Sequence, residues 1–137
     1  GRRLSLLCSR RKLVSFGAPD KVAAFFMEKL RHENQEHFLV SYLNVKNRLL
    51  GYQEISKGNL NAAPVDIKEA MKWGIRYKAY GMILLHNHPS GYPEPSKEDI
   101  EVTKTFAAGA RLLDMQVLDH VIIGDGTFVS LHERGII

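Results

Sequence analysis

The sequence predicts an α/β domain of the α+β kind, a mixed sheet flanked by helices, and three observations predict it. Apolar residues recur at helical spacing in three separate stretches. Short runs of strand character lie between them, one of which, Met82-Ile83-Leu84-Leu85, is wholly apolar like a strand buried in a sheet interior. Helices and strands do not alternate in strict βαβ order, which favours an α+β or three-layer arrangement.

The elements follow in order. Residues 1–17 read as an extension, with Gly17 as punctuation. Pro19 and Asp20 open an amphipathic helix carrying Val22, Phe25, Phe26 and Leu30. Phe38 to Leu43 reads as a strand. Asn44-Val45-Lys46-Asn47 turns the chain, Leu49 to Ser56 pairs back as a hairpin, and Gly58-Asn59 ends it. Asp66 or one of its neighbours caps a second helix with Ile67, Ala70, Met71 and Ile75 on one face. Gly81 leads into the apolar strand. Pro89 to Pro95, with Ser90, Gly91 and Pro93, is too broken for regular structure. Ser96 starts a third helix carrying Ile100, Thr103, Ala107 and Ala110. Val117 to Ile123 is a strand, Asp125-Gly126 a hairpin turn, and Thr127 to Leu131 the return.

At 137 residues the chain suits one domain with a core of its own. No apolar run is long enough to span a bilayer, so no membrane contact is expected, and the start does not read as a signal peptide. The single cysteine, Cys8, cannot form an internal disulfide, which points to a reducing, cytoplasmic setting. The formal net charge of +4 is unevenly spread. Arg2, Arg3, Arg10, Arg11 and Lys12 fall in the first twelve residues, which hold no acid, so the body is close to neutral. Weak nucleic-acid contact through that basic segment is one reading; a solvated arm is the other.

The chemistry concentrates after the apolar strand. His86, His88 and Asp99 arrive within 14 positions. Residues i and i+2 of an extended segment point to one side, so both imidazoles can approach one cation while Asn87 points away. Two His and one Asp are a ligand set that zinc accepts, leaving one tetrahedral position open for water. Such a site needs a carboxylate to handle protons, and Glu54 is the candidate. Its neighbour Gln53 lies on the opposite strand face, and the pattern does not say which face meets the metal. Ser96 is the candidate oxyanion donor or partner of the water. A second reading covers the same residues: Ser96-Lys97-Glu98-Asp99 looks like a helix capping box, which needs no metal. His32, His37 and His132 read as surface groups, and Asp119-His120 as a structural pair. One cysteine excludes a zinc deaminase, and the helical His-Glu-x-x-His motif is absent.

His86-x-His88-Pro89, six residues, Ser96, two residues and Asp99 resemble the JAMM motif of MPN-domain metalloproteases. More closely, His86-Asn87-His88-Pro89-Ser90-Gly91, Pro95-Ser96-x-x-Asp99-Ile100, Leu118-Asp119-His120, and Phe128 to Leu131 followed by Glu133-Arg134-Gly135 are similar to the JAB domain of bacterial RadC proteins. The resemblance covers residues 16–137, leaving 1–15 as a basic extension. It implies an MPN/JAB-like, cytidine-deaminase-like three-layer sandwich with a curved mixed sheet. It also implies a Zn2+ cofactor on His86, His88 and Asp99, with Ser96 beside the water and the motif's upstream glutamate at Glu54. RadC proteins usually carry a helix-hairpin-helix segment that suggests DNA contact, and this sequence holds none. Three functions follow in order: a zinc metallopeptidase acting on a peptide or protein, a DNA-associated repair module, and a zinc-binding domain without turnover.

Overall fold

The computed structural model describes residues 13–57 and 65–137. The basic segment 1–12, Cys8 and the expected hairpin end at Gly58-Asn59 lie outside the described residues. Pro19 sits in the first turn of α1 (Pro19–Leu30), where its fixed φ suits the helix, with Asp20 in the first turn and Lys29 in the last. β1 (His37–Leu43) and β2 (Leu49–Lys57) form the expected hairpin. Its turn is held by Asn44 Oδ1, which accepts the Lys46 and Arg48 N–H groups, each at 3.0 Å.

Asp66 caps α2 (Ile67–Tyr77) by accepting the Glu69 N–H at 3.1 Å. This helix buries Ala70, Met71 and Gly74. Ile75, expected on that face, is 59% exposed. At 3.6 residues per turn it lies roughly 90° round from the centre of the buried stripe, just past its edge. β3 (Gly81–Asn87) is buried along its whole length. α3 (Lys97–Leu112) buries Asp99, Thr103, Phe106 and Ala110, so the expected Ile100 and Ala107 flank the contact instead of centring it. β4 (Gln116–Ile123) and β5 (Phe128–Ser130) close the chain as a hairpin through Gly126, at φ +74°.

The sheet runs β2-β1-β3-β4-β5. β3 and β4 are parallel, joined through α3, and the other neighbours are antiparallel. On one face α1 packs Val22, Phe26 and Leu30 against Leu39, Ile83, Leu85 and Val121. On the other, α2 and α3 pack Met71, Phe106 and Ala110 against Phe38, Val40, Tyr42 and Leu84. The result is the expected mixed three-layer domain, and it explains why β3 reads as an unbroken apolar run: both its faces are covered. Among the described residues no helix is long and apolar enough to cross a membrane.

Buried Asp119 fastens the end of the chain to β4. Its Oδ1 accepts the His120 and His132 N–H groups at 2.7 and 3.0 Å, and its Oδ2 accepts the Ser130 hydroxyl at 2.6 Å. Each buried donor left without a partner costs about 1–3 kcal/mol. Asp119→Ala is therefore expected to lose about 3 kcal/mol or more in urea unfolding. Asp119→Asn, which keeps one carbonyl oxygen for the two N–H groups, should lose clearly less. Equal losses would mean the donors find no partner in the amide.

Candidate metal centre

His86 is the penultimate residue of β3, at the carboxyl end of the parallel β3–β4 pair. The His88 N–H donates to the Ile123 carbonyl at 2.9 Å, which carries the extended path one residue further. Both imidazoles then fall on the α2–α3 side, with ring centroids 4.8 Å apart. The loop that follows is turned back by two main-chain bonds. Gly91 N–H donates to the His88 carbonyl and Asp125 N–H donates to the Gly91 carbonyl, both at 2.9 Å. A Cβ on Gly124 would collide with the Gly91 carbonyl, so glycine lets the hairpin and the loop approach. This return brings α3 to the end of β3 with Asp99 in its first turn.

The capping box and the His–Asp cluster share one carboxylate. Ser96 Oγ accepts the Asp99 N–H at 3.1 Å, and Asp99 Oδ2 accepts the Ser96 N–H at 2.8 Å. The same Oδ2 lies 3.0 Å from His88 Nε2, and Oδ1 lies 3.2 Å from His86 Nδ1. Burial would raise the Asp99 pKa, but His86, His88 and the Ser96 N–H together hold the carboxyl well below the usual carboxylate range. The cap uses Ser96 Oγ as an acceptor, so its hydroxyl hydrogen is not spent on it.

The donor chemistry fits a cation. His88 Nδ1 lies 2.9 Å from the Tyr92 carbonyl, which can only accept, so Nδ1 carries the proton. A neutral His88 then turns a bare Nε2 lone pair on a carboxylate oxygen. That contact is favourable only if the ring is doubly protonated or a cation meets both atoms. Burial pulls the His88 pKa down, but the Asp99 and Tyr92 oxygens pull it further up. His86 is 1% exposed; among the described residues its Nε2 lies 3.7 Å from Glu36 Oε1 and its Nδ1 3.2 Å from Asp99 Oδ1, and neither contact has hydrogen-bond geometry. Nitrogens aimed near carboxylate oxygens without bonding them suit ligation. Glu36, His86 and His88 each present a donor atom within 4.8 Å of the others and so can hold a metal. Glu36, His88, Ser96, Glu98 and Asp99 line an open cleft of about 380 Å3.

The structure therefore brings His86, His88, Asp99 and Ser96 together and sets Glu54 apart. Glu54 pairs with Leu39, whose side chain belongs to the α1 face, and its Oε1 lies 2.9 Å from His37 Nδ1. Gln53 does face the α2 side, but there its Nε2 donates to the Tyr77 hydroxyl at 3.0 Å. Neither belongs to the cluster. The carboxylate that does is Glu36, just ahead of β1. The signal for it was the strand pairing: with β1 beside β3 in the register Phe38–His86, Glu36 falls level with His88. His37 is also no surface group, being held between Glu33 and Glu54.

Behind His86 lies fully buried His120, stacked edge-on against Phe38. Thr103 Oγ1 donates to the Asp99 carbonyl at 2.6 Å, so the His120 Nδ1, also at 2.6 Å, must donate to Thr103. Burial, with the charge of His86 adding to it, pushes the His120 pKa down to about 3 and keeps the ring neutral.

Comparison with known proteins identifies a family. Residues 16–136 match the family described as RadC-like JAB domain. A UPF0758 protein of Desulfitobacterium hafniense is 48% identical over 120 residues, 88% of this chain and 53% of that protein. Others from Caldanaerobacter subterraneus and Halalkalibacterium halodurans are 46% and 47% identical over 135 residues, 98% of this chain and 58% of each relative. The chain thus spans little more than half the length of these relatives.

Removing one histidine tests the centre directly. His86→Ala should weaken zinc binding beyond the roughly 10–100-fold typical of a residue that only supports a ligand, whereas His132→Ala should leave it unchanged. The measurement is zinc competition against a chelator, with elemental analysis of the loaded protein.

Proposed function

The chain belongs to the RadC-like JAB domain family, and from that membership and the geometry of its His–Asp–Glu cluster we propose that it is a zinc-dependent hydrolase of peptide or isopeptide bonds. The observation that carries the reading is the grouping of Glu36, His86 and His88 donor atoms beside the Asp99 carboxylate, next to an open cleft that Glu36, His88, Ser96 and Asp99 line. In this reading His86, His88 and Asp99 hold the zinc, which would supply a water acidic enough to ionise near neutral pH.

The remaining chemistry falls to the protein. Glu36 accepts the proton of the attacking water and returns it to the leaving nitrogen, the role that sequence reasoning assigned to Glu54. The Ser96 hydroxyl lines the cleft with its hydrogen unspent, and it donates to the oxygen that gains charge as the carbonyl is attacked. Because Ser96 is also the cap of α3, its position is fixed by the helix and not by a mobile side chain. The Tyr92 carbonyl holds the His88 ring in the tautomer that leaves Nε2 to the metal. The lone cysteine supports a cytoplasmic setting.

The test is cleavage of a peptide and isopeptide library by zinc-loaded protein. Glu36→Gln should lower turnover about 10²–10⁴-fold while retaining zinc. Glu54→Gln should leave turnover unchanged. Ser96→Ala should slow the reaction by up to about 10²–10³-fold and reduce stability by about 1 kcal/mol through loss of the cap. Full activity in Glu36→Gln would overturn the assigned roles. Zinc-loaded protein that cleaves no member of the library would count against the hydrolase reading.

A further inference from the structure

We infer that Asn87, the residue between the two histidines, is the positioning residue for Glu36. The geometry stands by itself; its meaning for turnover rests on the hydrolase reading above. Strand alternation sends Asn87 to the face opposite His86 and His88, and it is 1% exposed there. Its Oδ1 accepts the His37 N–H at 2.6 Å, and its Nδ2 donates to the Gln35 carbonyl at 3.0 Å. Those two main-chain groups flank Glu36 on either side. One carboxamide thus grips the chain immediately before and after the residue whose carboxylate stands 3.7 Å from His86 Nε2.

The amide orientation is forced, since an N–H can only donate and a carbonyl can only accept. The position of the grip also has a cause. Pairing of β1 with β3 ends at Phe38 and His86, so the main chain ahead of Phe38 has no further rung on β3. The Asn87 side chain takes over where the ladder stops, and it prolongs the register that sets Glu36 level with His88. Asparagine suits the task because it carries one acceptor and one donor at short reach. Aspartate would keep the acceptor for His37 but set an oxygen against the Gln35 carbonyl. Alanine would remove both contacts. A single residue therefore links the two halves of the centre: its neighbours in sequence bind from one face, and its side chain orders the partner carboxylate from the other.

The test uses the full chain, zinc as the probe, and the carboxyl carbon NMR signal of Glu36. In the wild type this signal should move on zinc addition. In Asn87→Ala the zinc-induced shift should be lost or at least halved, and the His37 amide should lose its protection from hydrogen exchange. Zinc affinity should fall less than about 10-fold, since Asn87 neither ligates the metal nor supports an assigned ligand. Asn87→Asp, which keeps the His37 contact, should retain His37 protection and give an intermediate Glu36 shift; it decides the matter if Asn87→Ala does not fold. A Glu36 signal that follows zinc as in the wild type in both variants would overturn the inference. Turnover adds a second, separable reading. Asn87→Ala should lower kcat with little change in KM, and Asn87→Ala combined with Glu36→Gln should be no slower than Glu36→Gln alone. Further slowing in the double variant would show that Asn87 acts other than through Glu36. If the wild type cleaves no peptide while the Glu36 signal behaves as expected, the positioning role holds and the hydrolase reading falls.

Discussion

The carboxylate of Asp99 is the interaction on which the arrangement turns. It is buried, and a buried charge is tolerated only when surrounded by donors or cations. It finds them on two elements at once: the Ser96 N–H at the start of α3, and the imidazoles at the end of β3. Satisfying one carboxylate therefore locks the helix start to the strand end and forces the Pro89–Pro95 loop between them to return. The helix contributes as well, since its N-terminal N–H groups favour negative charge in the first turn. The capping carboxylate and the carboxylate beside the histidines are the same atoms, so the two readings of Ser96-Lys97-Glu98-Asp99 do not compete.

β3 is used on both faces, and this lets a short strand organise so much. The even-numbered residues Met82 and Leu84 pack under α2 and α3, and His86 continues that row to the buried edge of the His–Asp cluster. The odd-numbered Ile83 and Leu85 pack under α1, and Asn87 continues that row to the chain entering β1. Polar residues at the end of an apolar strand are costly unless every group has a partner. Asn87 has both of its partners within the protein, whereas among the described residues the His86 nitrogens have only the Asp99 and Glu36 carboxylates near them, neither in hydrogen-bond geometry. The contrast separates a side chain built for structure from one built to meet something else. His120, neutral and buried, packs behind His86 on that side.

Much of the fold was legible because its signals are local. Pro19, Asp66 and Ser96 mark helix starts through their own backbone chemistry, and Asp125-Gly126 marks its turn by the positive φ glycine adopts. The fully apolar Met82–Leu85 announced a central strand. The ligand candidates His86, His88 and Asp99 were legible for the same reason, since their spacing lies within one strand, one loop and one helical turn. Glu54 lies apart from the cluster, which alternation could not foresee because it gives two faces of a strand without saying which layer each face meets. Glu36 was missed because its significance lies in a register with a strand fifty residues away.

The sequence by itself determined the element types and their order, the helix caps, and the pair of imidazoles on one side of a strand end. Periodicity, capping and spacing are properties of neighbouring residues, and they need no partner to be read. Tertiary structure alone decided which carboxylate joins the histidines, which face of β2 looks toward α2, and that Asn87 reaches across to the chain around Glu36. Those outcomes depend on strand order and register. Both are set by the collective burial of Phe38, Val40, Leu84 and Phe106 in one core and Phe26, Leu39, Ile83 and Leu85 in the other, and not by any one segment.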